Sequence, residues 1–226
     1  NYVLFVNYED FQDEIRRICQ QRPTEDCHFF SGYDCDSLAL EPVTGFAGQF
    51  LPVFAELPNA WLELRTKSTQ IRSLTDRRPL ARCVVAFSLS PSGIADKVEA
   101  KAPTLERRLD SIIRLQQHGW LIGLRFDPLI YQAGYQQIYR EFFGQVFASV
   151  KLEQLHSVSL GVFRLPESYF KKIHKLYPDE KLFASPLEHQ AGMISYPKEL
   201  EQEMMEFCAE HVAKYVPNSK FFPCTA

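Results

Sequence analysis

The chain has 226 residues, with 25 Lys and Arg against 28 Asp and Glu, a formal net charge of -3. That length supports one sizeable core, and the acidic balance gives no general attraction to nucleic acid. With 46% hydrophobic and 23% charged residues and no apolar run long enough to cross a bilayer, the composition is that of a globular, cytoplasmic protein without membrane partners.

Tyr2 to Val6 reads as the inside of a strand, and from an opening at Asn1 in mid-element the sequence is expected to be a fragment of a longer chain. Residues 9–21 follow as a helix, with Phe11, Ile15 and Ile18 at three- and four-residue spacing. The stretch 27–41, CHFFSGYDCDSLALE, is the next strand and its exit. An apolar run breaks at Ser31-Gly32 into Tyr33, Asp34, Cys35, Asp36 and Ser37. A thiol, two carboxylates and a hydroxyl are a costly way to end a core element unless they meet something polar. Two readings stay open there: a ligand-facing turn, or an Asx-type turn that caps the next helix.

Beyond it, the pattern predicts a helix over 45–56, an alternating strand over 61–65 ending in Thr66-Lys67-Ser68, a short helix, and a β-branched strand over 82–89. A helix over 104–118 starts at Pro103-Thr104 and stops at Gly119. Then come a strand over 121–126 ending at Asp127-Pro128, a helix over 135–147, a strand over 158–163 ending at Arg164, and helices over 168–176 and 198–215. Strands alternating with helices imply βαβ units and a parallel sheet, open or curled into a barrel, whose ligands sit at the carboxyl ends of the strands. Those ends carry Tyr33, Asp34, Cys35 and Asp36; Arg65, Lys67 and Ser68; Ser88 and Ser90; Arg125 and Asp127; and Arg164. Five polar ends in succession argue for a shared site for a charged ligand, with Lys67 and the arginines meeting anionic groups and Asp36 or Asp127 meeting an amine or hydroxyls.

Other chemistries are weaker. The chain has no GxGxxG, GxxxxGK[ST] or GxSxG motif. Its six cysteines (Cys19, Cys27, Cys35, Cys83, Cys208, Cys224) are too dispersed for an internal zinc or iron-sulfur site and read as reduced, mostly buried thiols. A Cys35-His28 pair is disfavoured because near neighbours along one strand do not face each other correctly. Glu203, Glu206, Glu210 and His211 have helical spacing but no Glu-x-x-His pattern, so they read as a solvated face rather than a metal site. The pairs Arg16-Arg17, Arg77-Arg78, Arg107-Arg108 and Lys171-Lys172 read the same way.

Four ordered segments carry a family likeness: DSLALE (36–41), LELRTKS (62–68), VVAFSLSP (84–91) and GLRFDP (123–128), with APTLERRL (102–109) between the last two. Together they resemble the spore photoproduct lyase family of radical SAM enzymes, and more its wider, lyase-like branch than the lyase itself. The resemblance implies a partial TIM barrel over 1–226, with 178–226 as a C-terminal extension. It implies a [4Fe-4S] cluster held by a CxxxCxxC loop upstream of Asn1, with 2–6 an extra strand after that loop. The cluster would reduce S-adenosylmethionine to a 5'-deoxyadenosyl radical that abstracts hydrogen, with electrons from a flavodoxin or ferredoxin. By the same matching, Lys67, Ser88 and Asp36 are cofactor-binding positions and no metal ligand lies in the chain, so the chain alone is expected to be inactive. The family carries a hydrogen-donating cysteine at the turn, whose position here, counted back from Asp36, is Tyr33. Cys35 lies two residues further on, so either Cys35 takes over that role or the reaction differs, and the second is favoured. DNA is the implied substrate, although 183–197, where the family carries part of its DNA-contacting hairpin, is short of arginine and lysine. The competing reading is a non-catalytic or degenerate barrel that binds nucleic acid or another partner.

Overall fold

The computed structural model describes residues 4–32 and 35–224. In chain order they form α1 (Tyr8–Gln21), β1 (Cys27–Ser31), α2 (Glu41–Thr44), α3 (Phe46–Glu56), β2 (Ala60–Thr66), α4 (Arg72–Thr75), β3 (Cys83–Ser88), α5 (Ser92–Val98), α6 (Leu105–His118), β4 (Leu121–Leu129), α7 (Tyr135–Ser149), β5 (Leu155–Val162), β6 (Arg164–Pro166), α8 (Glu167–Leu176), β7 (Glu188–Gln190), β8 (Met193–Ser195), α9 (Lys198–Val212) and β9 (Phe221–Pro223). Six strands hydrogen-bond in the order β1-β2-β3-β4-β5-β9, and β6-β8-β7 form a small second sheet. The β1–β2, β2–β3 and β5–β9 ladders are parallel, whereas β8 runs antiparallel to both its neighbours. No helix among the described residues is long and apolar enough to cross a membrane.

The chain packs as two compact units. The first comprises Asn1–Ser88, Glu106–Gly123 and Glu153–His156. Its β3 is buried at every position, as a strand covered on both faces must be, and its Cys-Val-Val-Ala-Phe-Ser sequence supplies the continuous run this requires. In α6, Leu109, Ile112 and Leu115 form the buried stripe at helical spacing. Gly119, at φ 95°, ends that helix, and the Trp120 N–H bonds back to Leu115 O at 3.0 Å. Arg108 also lies on the stripe and is 1% exposed, which corrects the expected solvated face. Its burial is tolerated because Nη1 donates to Ser88 O at 3.0 Å.

The second unit comprises Leu89–Leu105, Leu124–Leu152 and Ser157–Ala226. Phe126 of β4 packs edge-on against Phe142, Phe143 and Phe147 of α7 at centroid distances of 5.0–6.0 Å. Helix α9 buries Met204, Cys208 and Val212, and its Phe207 meets Tyr135 of α7 edge-on at 5.9 Å.

Two expectations need correcting. Leu4, Phe5 and Val6 form no strand and are 48%, 66% and 82% exposed, while the rest of that expected strand lies outside the described residues. Apolar side chains alone do not make a strand, which needs a ladder partner for its backbone. The sixth strand is instead β9, where Phe221 pairs with Val158. At three residues including a proline, it is too short to show a period. The sequence reading places no element over 92–98, where α5 lies; Pro91 is the residue immediately before that helix and does not interrupt it.

Candidate functional site

The exit from β1 folds back onto the carboxyl end of β2. Gly32 makes this possible with φ 82°, and a Cβ there would lie 2.7 Å from Ser37 Oγ, 2.8 Å from Cys35 O and 2.9 Å from Arg65 O. Ser37 N–H donates to Arg65 O at 3.0 Å, and its hydroxyl to Ser31 Oγ at 3.0 Å. Asp36 completes the closure. Its Oδ1 accepts from the backbone N–H of Leu38 (2.9 Å) and Ala39 (2.8 Å) and from the Thr66 hydroxyl (2.7 Å). Its Oδ2 accepts from the Lys67 N–H at 2.6 Å. A carboxylate offers about four acceptor positions, so the described residues occupy nearly all of Asp36's capacity. Thr66 Oγ also accepts from Ser68 N–H at 2.8 Å, and Ser68 Oγ accepts from Gln70 N–H at 3.0 Å. The turn after one strand and the exit of the next are therefore one hydrogen-bonded assembly.

Register sets the neighbours. Thr66 pairs with Phe87, so the next residues along these parallel strands are Lys67 and Ser88. Lys67 is half-buried, Ser88 is buried, and Cys35 is exposed. Tyr33 and Asp34 lie outside the described residues. The structure thus brings Asp36 directly to Lys67 and sets Ser88 beside Lys67 in the register. His28 instead stacks on Trp61, with ring centroids 6.0 Å apart and planes 11° from parallel. Cys19, Cys27, Cys83 and Cys208 are buried. Burial pushes the thiols of Cys83 and Cys208 up to about 12 and that of Cys19 to about 11, with Cys27 adding to the last. At neutral pH these stay protonated, which leaves Cys35 as the exposed thiol among the described residues.

The turn chemistry was visible in the residues around Asp36, but the part of Thr66 was not, since a threonine ending a strand is ordinary. Arg108, which holds the Ser88 carbonyl, gave no sequence signal either.

The other polar strand ends belong to a different kind of structure. Arg65 lies 3.4 Å from Glu63 in the first unit. In the second unit Arg125 is 6% exposed and bonds to Ser157 Oγ at 2.9 Å and Leu124 O at 3.2 Å. It is packed inward rather than turned to a ligand, which corrects the expectation for that arginine. Ser90 donates to Glu99 at 3.2 Å, and Asp127 pairs with Arg164 at 3.3 Å. Glu203 accepts from the Tyr135 hydroxyl at 2.8 Å, and Glu206 from Gln202 at 2.7 Å. No group of three or more His, Cys, Asp or Glu among the described residues is arranged to hold a metal ion.

A family model described as spore photoproduct lyase matches residues 1–224. The spore photoproduct lyases of Bacillus subtilis (strain 168) and Geobacillus sp. (strain Y412MC61) are 21% and 20% identical to this chain. Each match covers 96% of the chain and 66% of the relative, so the chain spans about two thirds of the length of these curated relatives. A solved spore photoproduct lyase mutant with bound AdoMet and dinucleoside spore photoproduct aligns with a TM-score of 0.86 at 17% identity, covering 97% of this chain and 67% of that one. The lyase complexed with dinucleoside spore photoproduct aligns with a TM-score of 0.84 at 16% identity, with the same coverage. These likenesses show the fold, a partial TIM barrel of the radical SAM type.

Proposed function

Because the chain belongs to the spore photoproduct lyase family, we propose that it is the cofactor-holding barrel of a radical SAM enzyme that abstracts hydrogen from a DNA photolesion. The observation that carries this reading is the Asp36 carboxylate bonded at 2.6 Å to the backbone of Lys67, which fixes a half-buried lysine at the strand end beside Ser88. The donor set fits S-adenosylmethionine: an ammonium for its carboxylate, a hydroxyl at the adjacent strand end, and a short turn bonded to the Lys67 backbone. When bound with a reduced [4Fe-4S] cluster, this cofactor supplies the hydrogen-abstracting radical.

Each residue then has a stated part. Lys67 binds the methionyl carboxylate and Ser88 donates from its hydroxyl. Arg108 fixes the Ser88 backbone through its carbonyl. Asp36 acts mainly by holding the turn against β2, and the remaining acceptor capacity of Oδ2 would accept from the methionyl amine. Tyr33 stands at the position of the family's hydrogen-donating cysteine and Cys35 two residues on, so either Cys35 gives its S–H hydrogen to a product radical or the reaction differs, and the second is favoured. The dispersed cysteines of this chain do not fit the cluster, whose ligands are assigned upstream of Asn1, and a flavodoxin or ferredoxin is the assigned electron donor. The DNA substrate is supported by the dinucleoside spore photoproduct bound to the solved relatives.

Calorimetric titration with S-adenosylmethionine tests the cofactor assignment. Lys67→Ala removes a charge-assisted contact and is expected to weaken binding by about tenfold or more. An unchanged affinity would remove the role given to Lys67.

A further inference from the structure

We propose that Arg164 is a substrate-binding residue whose outward guanidinium edge takes the phosphodiester of a nucleic-acid substrate. This rests on the reading above that the substrate is DNA. A guanidinium has five N–H donors in a fixed plane. In Arg164, Nη1 donates to Asp127 Oδ1 at 3.3 Å and to Val162 O at 3.0 Å, and Nη2 donates to Asp127 Oδ2 at 3.3 Å. The Nε hydrogen and the second Nη2 hydrogen are therefore taken by no described residue. These two lie parallel on one edge of the plane, the arrangement that grips two oxygens of one oxyanion.

Two further observations show that the group is held for use. The backbone makes room for it: a Cβ on Gly161 would lie 2.9 Å from Arg164 Nη1 and 3.0 Å from the Asp127 carboxyl carbon. The pair is also neither buried nor loose, with side-chain exposures of 26% for Arg164 and 15% for Asp127. Asp127 grips one side of the guanidinium while the other reaches water, so the fork is ordered before a ligand arrives. Helix α8, which follows Arg164 by three residues, adds exposed Lys172 and Lys175, and its Lys171 is paired with Glu167 at 2.5 Å. The hairpin of β7 and β8 is poor in arginine and lysine, so it supplies little of the phosphate contact a nucleic acid needs.

The test is titration of the intact protein with the dinucleotide TpT, with thymidine, which has the base and sugar but no phosphate, and with inorganic phosphate. Arg164→Lys keeps the charge and loses the fork, and is expected to weaken TpT binding about tenfold while leaving thymidine binding unchanged. Gly161→Ala crowds the pair from the other side and is expected to weaken TpT in the same direction. A parallel loss of phosphate binding identifies the ligand as any oxyanion, whereas a loss with TpT alone ties the site to a nucleotide; both support it. TpT binding that is absent in the wild type, equal in both variants, or lost together with thymidine binding would overturn it. S-adenosylmethionine affinity should be the same in the wild type and both variants. Absence of S-adenosylmethionine binding in the wild-type protein would defeat the proposed cofactor assignment while leaving the Arg164 result standing.

Discussion

Gly32 is the residue on which the candidate site turns. A methyl group at that position meets two backbone carbonyl oxygens and a hydroxyl at 2.7–2.9 Å, on a backbone whose φ of 82° already disfavours a side chain. Gly32→Ala is therefore expected to cost about 2–4 kcal/mol in urea unfolding, and a wild-type midpoint would show that the turn is not closed as described. The thiols make a second residue-level prediction. At pH 8 an alkylating reagent should modify Cys35 quickly and reach Cys83 and Cys208 only after unfolding, as mass spectrometry of the digested protein would show. Burial raises the Cys83 thiol from 9.0 to about 12. The unfolded chain releases that proton first, so the contribution is intact below pH 9 and is lost as the pH climbs towards 12. At this scale the turn was legible because glycine, aspartate and serine each carry a local backbone preference. Arg108 was not, because nothing in a run of helix-forming residues says which charged side chain finds a carbonyl to bond.

At the scale of elements, the long strands and helices were readable because their apolar residues repeat at 2.0 or 3.6 residues over enough positions to establish a period. The short pieces, α2, α5, and the three-residue strands β6, β7, β8 and β9, do not run long enough for that. Their formation depends on partners distant in the chain. The α2–α3 junction shows how local chemistry sets an element: buried Glu41 accepts from the N–H of Ala47 at 2.9 Å and of Gly48 at 3.4 Å. It supplies acceptors to a helix start whose flanking Gly45 has none in its side chain. Glu41→Ala is expected to lower stability by about 1–3 kcal/mol, measured by chemical denaturation, while a change below the error of that measurement would show that water replaces the cap. Since Glu41 lies five residues beyond Asp36, the stretch 36–41 is bound at both ends, by Asp36 to β2 and by Glu41 to α3.

For the molecule as a whole, the order of strands and helices was legible, and so was the family, because four motifs recur in one order along most of the chain. What the order of motifs did not reveal is which polar strand ends face a ligand. Asp36 and Arg125 are both charged and both read from the sequence as strand ends, yet Asp36 is engaged in the turn after β1 and Arg125 lies within β4, packed inward on Ser157. Only the surrounding partners separate them. The central claim, that this barrel serves a radical SAM enzyme, is tested most directly by reconstituting the intact protein anaerobically with iron and sulfide, reducing it, and measuring S-adenosylmethionine cleavage by chromatography. Formation of 5'-deoxyadenosine by the wild type, sharply reduced in Lys67→Ala, is the predicted result; a reduced, cluster-loaded protein that forms none would contradict it.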